Sequence, residues 1–544
     1  MSTLALYFHT VRHLRATQVV SRVGLLLRRP YPDLRAAPPQ RVWKCTYAAP
    51  IAAEATLIGP DTFRFLNAER RCATASDWRA AGMSKLWVYN LHYFDDLNAR
   101  DAQSRTIWHE HLLQRWVEEN PPASGDAWEP YPVSRRIVNW VKWAARGNTL
   151  STDCRASLAV QTRWLLGRLE YHILGNHLFA NAKALMYAGL FFEGPEAERW
   201  FSRGFAIVER ELAEQVLRDG GHFELSTMYH AAAVEDLLDL INLLHASGRQ
   251  IPVGWPAILA RMQRWLQVMI HPDGEISFFN DAALGAAPTL ADLDMYAIRL
   301  NLPVTLSASE PLIPLEASGY VRMAAGPACL ILDCAAVGPD YLPGHAHADT
   351  LSFEMSMWGR RLFVNSGTSC YGADSERQRQ RGTAAHNTVV VDSHDSSEVW
   401  GGFRVARRAR VRLRAVRSTP PSATVEASHD GYRRLASKSQ HLRRWTLSPN
   451  SLHIDDEITG DFKVAEAYFH LHPEVQVRVC SPREVELSWS SGGAARLTFE
   501  GAVAVSVRPD TWHPHFGVVV ANHCIVAKFS SASLRAVLAW NQES

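Results

Sequence analysis

The spacing of apolar residues changes once along this chain, and the change divides it into two kinds of structure. From about residue 85 to 300, aliphatic and aromatic side chains recur three and four apart, as in Val234, Leu237, Leu238, Ile241 and Leu244, which places them on one helix face. Successive blocks (105–119, 133–146, 155–171, 176–193, 196–217, 230–247, 256–270 and 290–301) are separated by short glycine, proline or polar breaks, so an array of helical hairpins is predicted. After Leu302–Ser318, rich in proline and serine, the period becomes two. Arg410-Val411-Arg412-Leu413-Arg414 alternates strictly, and Thr388–Val391, Leu452–Ile454, Val475–Val477 and Val518–Val520 are further strand candidates. Many short strands with turn signals imply a sheet sandwich. An all-α domain followed by an all-β domain is expected, with the chemistry between them.

A chain of 544 residues exceeds one ordinary hydrophobic core. The expected division is 1–60, an N-terminal basic helix and arm; 61–305, the helical domain; and 306–544, the sheet domain. Residues 7–29 carry Val11, Leu14, Val19, Val20, Val23 and Leu26 between five arginines, which reads as one amphipathic basic helix packed on the body of the protein rather than on a membrane. The proline- and alanine-rich stretch 31–50 reads as a connecting arm. The start lacks the uninterrupted apolar run of a cleavable signal, and no stretch is long enough to span a bilayer. A bacterial cytoplasmic location is the default expectation, with periplasmic or cell-surface association left open. A net charge of +2 argues against a dedicated nucleic-acid binder. The eight cysteines are scattered without a CxxC pair and read as buried thiols.

Three clusters carry chemistry. Gly175-Asn176-His177, with Asn181 and Lys183 beyond it, offers an amide and an imidazole suited to a substrate carboxylate, or to cross-linking helices. Gly220–His230 is a glycine turn that opens a helix with Glu224 and Tyr229; a tyrosine near cations can exchange a proton with substrate, and one without them is ordinary core. In Gly344-His345-Ala346-His347-Ala348-Asp349, histidines two apart face one side of an extended strand. With Asn365 and His386, His347 could hold a divalent ion, zinc being the natural choice, while His345 stays free for chemistry.

These residues resemble the heparinase II/III family of polysaccharide lyases, including relatives that act on alginate. The blocks Gly344–Asp349 and Ala384–Asp392 are the most specific, supported by Gly175–His177 and Glu224–Tyr229. The resemblance implies an incomplete (α/α) toroid followed by an antiparallel β-sandwich. It implies β-elimination on an acidic polysaccharide, with Asn176 and His177 on the uronate carboxylate, Tyr229 as proton donor and His345 as base or carboxylate-neutralising group. It also implies a structural metal on His347 and His386, with Asn365 standing where the family commonly has aspartate. A place in exopolysaccharide or surface-glycan metabolism is compatible with this reading.

Groove candidates mix aromatic and basic groups that stack on sugars or pair with acids: Arg135 and Arg136 in the helical half, Tyr371, Arg381 and Trp400 in the sheet half, and Glu224. Tyr371 is also a second candidate catalytic tyrosine. Two rivals stay open: a glycoside hydrolase using Glu224 and Asp281 as paired carboxylates, and a non-catalytic glycan-binding or assembly protein. The polysaccharide, its sulfation and the oligomeric state are not legible at this level.

Overall fold

A computed structural model describes residues 3–27, 31–304, 310–490 and 492–541. The proposed helix-to-sheet boundary at 305, and Arg28 and Arg29 of the basic segment, lie outside the described residues.

All eight helical blocks form helices, the longest being Pro195–Gln215 and Thr227–Ala246. Their ends follow local chemistry. Ser226 accepts a hydrogen bond from the Tyr229 amide as an N-cap, and the block expected to run to residue 171 stops at Leu166, with Gly167 at the C-cap. Helices Gly175–Phe191 and Pro195–Gln215 pack through paired glycines. A Cβ on Gly189 would sit 2.5 Å from the Phe201 amide nitrogen, and one on Gly204 would sit 2.6 Å from the Ala182 carbonyl. Among the described residues no helix is long and apolar enough to cross a membrane.

Beyond residue 310 the chain is antiparallel sheet. A five-stranded sheet runs in chain order from Leu312–Leu315 to Arg360–Phe363. An eight-stranded sheet begins at the edge strand Val411–Thr419 and ends at Val475–Ser481, with the last strand, Ser533–Trp540, inserted between Ser451–Thr459 and Ala494–Glu500. A four-stranded sheet orders Ala504–Trp512, Val520–Phe529, Ala465–His470 and Val389–Val391. The three share one core, in which Met355, Val391, Trp445, Phe469 and Ile525 are fully or almost fully buried. Of the strand candidates, Val518 and Val519 precede their strand, which starts at Val520.

The two halves interlock. The large helical core takes in Val364, Trp512 and Phe516 from the sheet half, and a smaller cluster joins Leu225, Trp265 and Phe279 to Ile313, Tyr320 and Ile331. A three-stranded sheet spanning Leu57–Arg71, which alternation had not singled out, precedes the helices. The arm lies along helix ends, with Arg41 N donating to Phe191 O and Lys44 N to Ala246 O.

The N-terminal segment departs from expectation. It forms two helices, Thr3–Val11 and Ala16–Leu27, because the Gln18 side chain accepts from Arg15 N at 2.9 Å and starts the second one. The second helix docks through buried Gln18, whose amide reaches the carbonyls of Ile173 and Tyr341, each at 3.3 Å. Its apolar stripe, Val19, Val20, Val23, Leu26 and Leu27, faces away from the protein. Of the cysteines, Cys45 and Cys480 are exposed and Cys370 half-buried, which corrects the uniformly buried reading; none forms a disulfide.

If the glycine contact sets the separation of those two helices, Gly189→Ala should destabilise the fold by about 1–3 kcal/mol through overpacking, despite the roughly 1 kcal/mol helix-propensity gain of alanine. Denaturant melts of the purified variant check this.

Candidate active site

Asp281 organises the site. It is fully buried, and its carboxylate accepts from His345 Nδ1 (2.8 Å), His347 Nε2 (2.8 Å), Arg377 through both terminal nitrogens (Nη2 at 2.7 Å) and Thr368 Oγ1 (3.3 Å). Burial alone would raise its pKa. The Arg377 guanidinium and the two imidazoles outweigh burial and hold the group ionised, well below the usual carboxylate range. The preceding residue completes the frame from a left-handed backbone (φ 57°). Asn280 accepts from His347 N at 3.0 Å, donates its own amide N–H to Asp349 at 3.0 Å and its side-chain amide to Leu225 O at 2.9 Å. The Asn280-Asp281 pair thus fixes the Gly344–Asp349 loop.

The free edge of His345 faces the helical half. Its ring lies 3.9 Å from the Tyr229 ring, centroid to centroid, and its Nε2 is 3.6 Å from Glu224 Oε2. Glu224 is buried with both carboxylate oxygens lacking a side-chain partner, and burial raises its pKa. The Tyr229 hydroxyl lies 2.9 Å from that of Tyr371. Burial, followed by Tyr371 and the Asp281 charge, pushes Tyr229 well above the ordinary phenol value, so here it keeps its proton and is poised as an acid rather than a ready phenolate.

Asn176 and His177 come from the first turn of helix Gly175–Phe191. Left-handed backbone at Leu174 (φ 73°) and Gly175 (φ 55°) aims that turn; at Gly175 an added Cβ would collide with the Leu342 side chain. Asn176, Tyr229, Tyr131, Arg135 and His222 line one cavity at the centre of the helices. His177 is held by Glu170 Oε1 at 3.0 Å. Burial lowers its basicity, but the Glu170 carboxylate reverses this, leaving a net raised pKa.

The predicted metal residues are close together. His347 Nδ1 and His386 Nε2 are 3.1 Å apart, and His347, Asp349 and His386 each offer a ligand atom within 4.8 Å of the others. Their outer partners fix the tautomers. Asp281 takes the proton of His347 Nε2, and the Gly382 carbonyl takes that of His386 Nδ1 at 2.9 Å. Two imidazole lone pairs therefore face each other, an arrangement relieved by a cation and typical of ligands oriented by a second shell. Burial depresses both histidines, to about 4 for His347 and about 3 for His386, so they are neutral donors near pH 7. The third donor of this group is Asp349, which the sequence reading does not propose as a ligand; that reading names Asn365. Asn365 is fully buried, with Oδ1 accepting weakly from Asn387 N at 3.3 Å and Nδ2 unpartnered.

Three predicted groove residues do not face this site. Arg136 is fully buried and spends its guanidinium on Gln161 and the carbonyls of His92 and Ala127. Arg381, also buried, holds the Ala346 and Gly402 carbonyls and so supports the histidine loop from behind. Trp400 donates to Thr10 Oγ1 at 3.1 Å and packs edge-on against Tyr7, under the first N-terminal helix. Arg135 does reach the cavity, paired with Asp95 at 3.1 Å, and Tyr371 stands beside Tyr229. Sequence reading passed over Asn280 and the bridging role of Arg377; the available signal was a lone Asn-Asp pair inside the apolar run Phe278–Leu284.

Removing one member of a buried ion pair strands the other. Asp281→Asn should therefore cost about 3–5 kcal/mol, whereas Asp281→Asn with Arg377→Leu should recover part of that loss; chemical denaturation of the three proteins measures the difference.

Residues 83–297 match the family model described as heparinase II/III N-terminus, and residues 307–541 match heparinase II/III-like, C-terminal. Curated relatives include a heparin-sulfate lyase of Bacteroides stercoris, 27% identical over 243 residues (41% of this chain, 36% of that protein). Another, from Bacteroides thetaiotaomicron, is 24% identical over 340 residues (53% and 48%). The matched region thus spans between about a third and a half of these relatives' length. Among solved structures, heparinase III superposes with a TM-score of 0.69 at 19% identity over 85% of this chain and 77% of its own. The Streptomyces coelicolor A3 chondroitin AC lyase gives 0.51 at 12% identity, over 86% and 78%. The two family models together span most of the chain, and the chain belongs to the heparinase II/III family.

Proposed function

We propose that the protein is a polysaccharide lyase that cleaves an acidic, uronic-acid-containing glycan of the glycosaminoglycan kind by β-elimination. The observation that carries this reading is the packing of Tyr229 against His345 at 3.9 Å, where a proton donor from the helices meets an imidazole from the sheets beside Asn176. Family membership and the heparin-sulfate lyase relatives support it. The finer architecture belongs to the same proposal: an incomplete (α/α) toroid over 61–305, an antiparallel sandwich over 306–544, and residues 1–60 as an appended arm.

β-Elimination removes the C5 proton of a uronate and expels the 4-linked oxygen. The C5 proton becomes removable only when the adjacent carboxylate is neutralised, so that enolate-like charge is stabilised. The Asn176 amide and the His177 imidazolium, kept basic by Glu170, are the groups for that task. His345, oriented by Asp281 through Nδ1 and with Nε2 toward Glu224, serves as base. Tyr229, which retains its proton, delivers it to the departing oxygen. Tyr371, hydrogen-bonded to it, positions that hydroxyl. Arg135 supplies positive charge to the groove. His347, His386 and Asp349, with Asn365 alongside, would hold a zinc ion as a structural clamp on the histidine loop, with no part in proton transfer. The hydrolase alternative is less well supported, because Asp281 is consumed by Arg377 and two histidines and is not free to act as base or nucleophile.

Tyr229→Phe should lower kcat roughly a hundredfold or more, with KM little changed, in an ultraviolet assay for unsaturated uronate on heparan sulfate, chondroitin, hyaluronan, alginate and bacterial exopolysaccharide. Chain shortening without that absorbance would point to hydrolysis. A second expectation concerns pH. Because the folded pKa of His177 lies above 6.5, its charge persists past that value and is lost as pH rises through the folded pKa. KM should accordingly climb on the alkaline side, and His177→Ala should flatten that rise in KM–pH profiles.

A further inference from the structure

The four-stranded sheet carries a second convergence of donors that the chemistry above does not use. His470, which ends strand Ala465–His470, pairs in register with Cys524 on the neighbouring strand, and Asp510 lies on the strand beyond. One ligand atom from each of the three residues lies within 4.8 Å of the others. His470 and Cys524 are almost fully buried.

The hydrogen bonds fix what each donor offers. His470 Nε2 lies 3.0 Å from the Ala384 carbonyl, which can only accept, so that nitrogen carries a proton; burial lowers the ring's basicity, but Cys524 and Asp510 beside it raise its pKa to about 10, so Nδ1 is the nitrogen that a cation would claim by displacing a proton. Nδ1 sits 2.9 Å from Asp510 Oδ2, yet it makes no aligned hydrogen bond. The other carboxylate oxygen is engaged by Thr511 N at 2.8 Å and Arg379 Nη1 at 3.4 Å, which leaves Oδ2 directed at the histidine. The Cys524 thiol makes a long contact of 3.6 Å to the Ile525 carbonyl and lies beside the His470 ring. An imidazole nitrogen, a carboxylate oxygen and a thiol thus converge, with the histidine and cysteine buried and the aspartate partly exposed.

We propose that His470 Nδ1, Asp510 Oδ2 and Cys524 Sγ form a second metal site, separate from that of His347 and His386, which takes a zinc-class divalent ion. Mixed imidazole, carboxylate and thiolate donors suit such an ion, and a ring N–H given to a backbone carbonyl is the usual outer support of a metal-bound histidine. On binding, the His470 Nδ1–H and the thiol S–H release their protons to solvent as metal–nitrogen and metal–sulfur bonds form. Three protein ligands leave a fourth position for water. The ion would staple two neighbouring strand pairs and, through His470 and Ala384, the segment leading to His386.

The test titrates cobalt(II) into the full chain after chelator dialysis and records the near-ultraviolet spectrum. A thiolate-to-cobalt charge-transfer band, saturating at one sulfur-bound ion, is expected. It should disappear in Cys524→Ser, move to higher cobalt concentration in Asp510→Asn and persist in His347→Ala, whose affected site contains no sulfur. A folded wild-type chain with no such band, or a band undiminished in Cys524→Ser, would overturn the proposal in favour of a plain His470–Asp510 ion pair. Neither result bears on lyase activity, which is read separately.

Discussion

A carboxylate removed from water costs several kcal/mol unless its partners restore the lost solvation, and Asp281 meets that requirement with an arginine fork, two imidazoles and a hydroxyl. The partners come from three places: the Gly344–Asp349 loop, the segment carrying Thr368 after strand Arg360–Phe363, and helix Ser375–Arg381. None of these segments has regular sheet or long-helix pairing to hold it against the others. The buried charge does so instead, and the orientation of His345 toward Tyr229 follows. Arg381 braces the same loop through its carbonyls, so two buried arginines, one ionic and one purely hydrogen-bonding, surround the histidines.

This arrangement also separates the roles of three neighbouring histidines. His345 and His347 share one carboxylate through different ring nitrogens, one leaving an edge toward Tyr229 and Glu224 and the other a lone pair toward His386. The alternation of an extended chain would send both to one side; the Asp281 contacts turn that shared side into two functions. His386, though 39 residues further on, is drawn in by a single backbone carbonyl.

The helices were legible because long amphipathic repeats report local geometry, and caps such as Ser226 and Gly167 mark their limits. The strand order was not, since pairing Ser533–Trp540 between two earlier strands depends on contacts far apart in the chain. The same reasoning separates the site's residues. Motifs exposed His345, His347 and Tyr229, whereas the role of Asp281 depends on partners 64, 66 and 96 residues away. Arginine type signals charge but not burial, and Arg136 and Arg381 were therefore read as sugar ligands when they are internal braces. The N-terminal helix was misread for a related reason. Its periodicity was real, but periodicity alone does not say which face docks, and a glutamine proved to be the anchor.

That anchor has a mechanical consequence. Gln18 bridges the carbonyl of Ile173, just before the turn that presents Asn176, to that of Tyr341, just before the loop that presents His345. One side chain therefore ties the segment before Asn176 to the segment before His345. Any motion that draws those two segments apart must break at least one of its two bonds, so their separation is tied to a residue of the N-terminal helix.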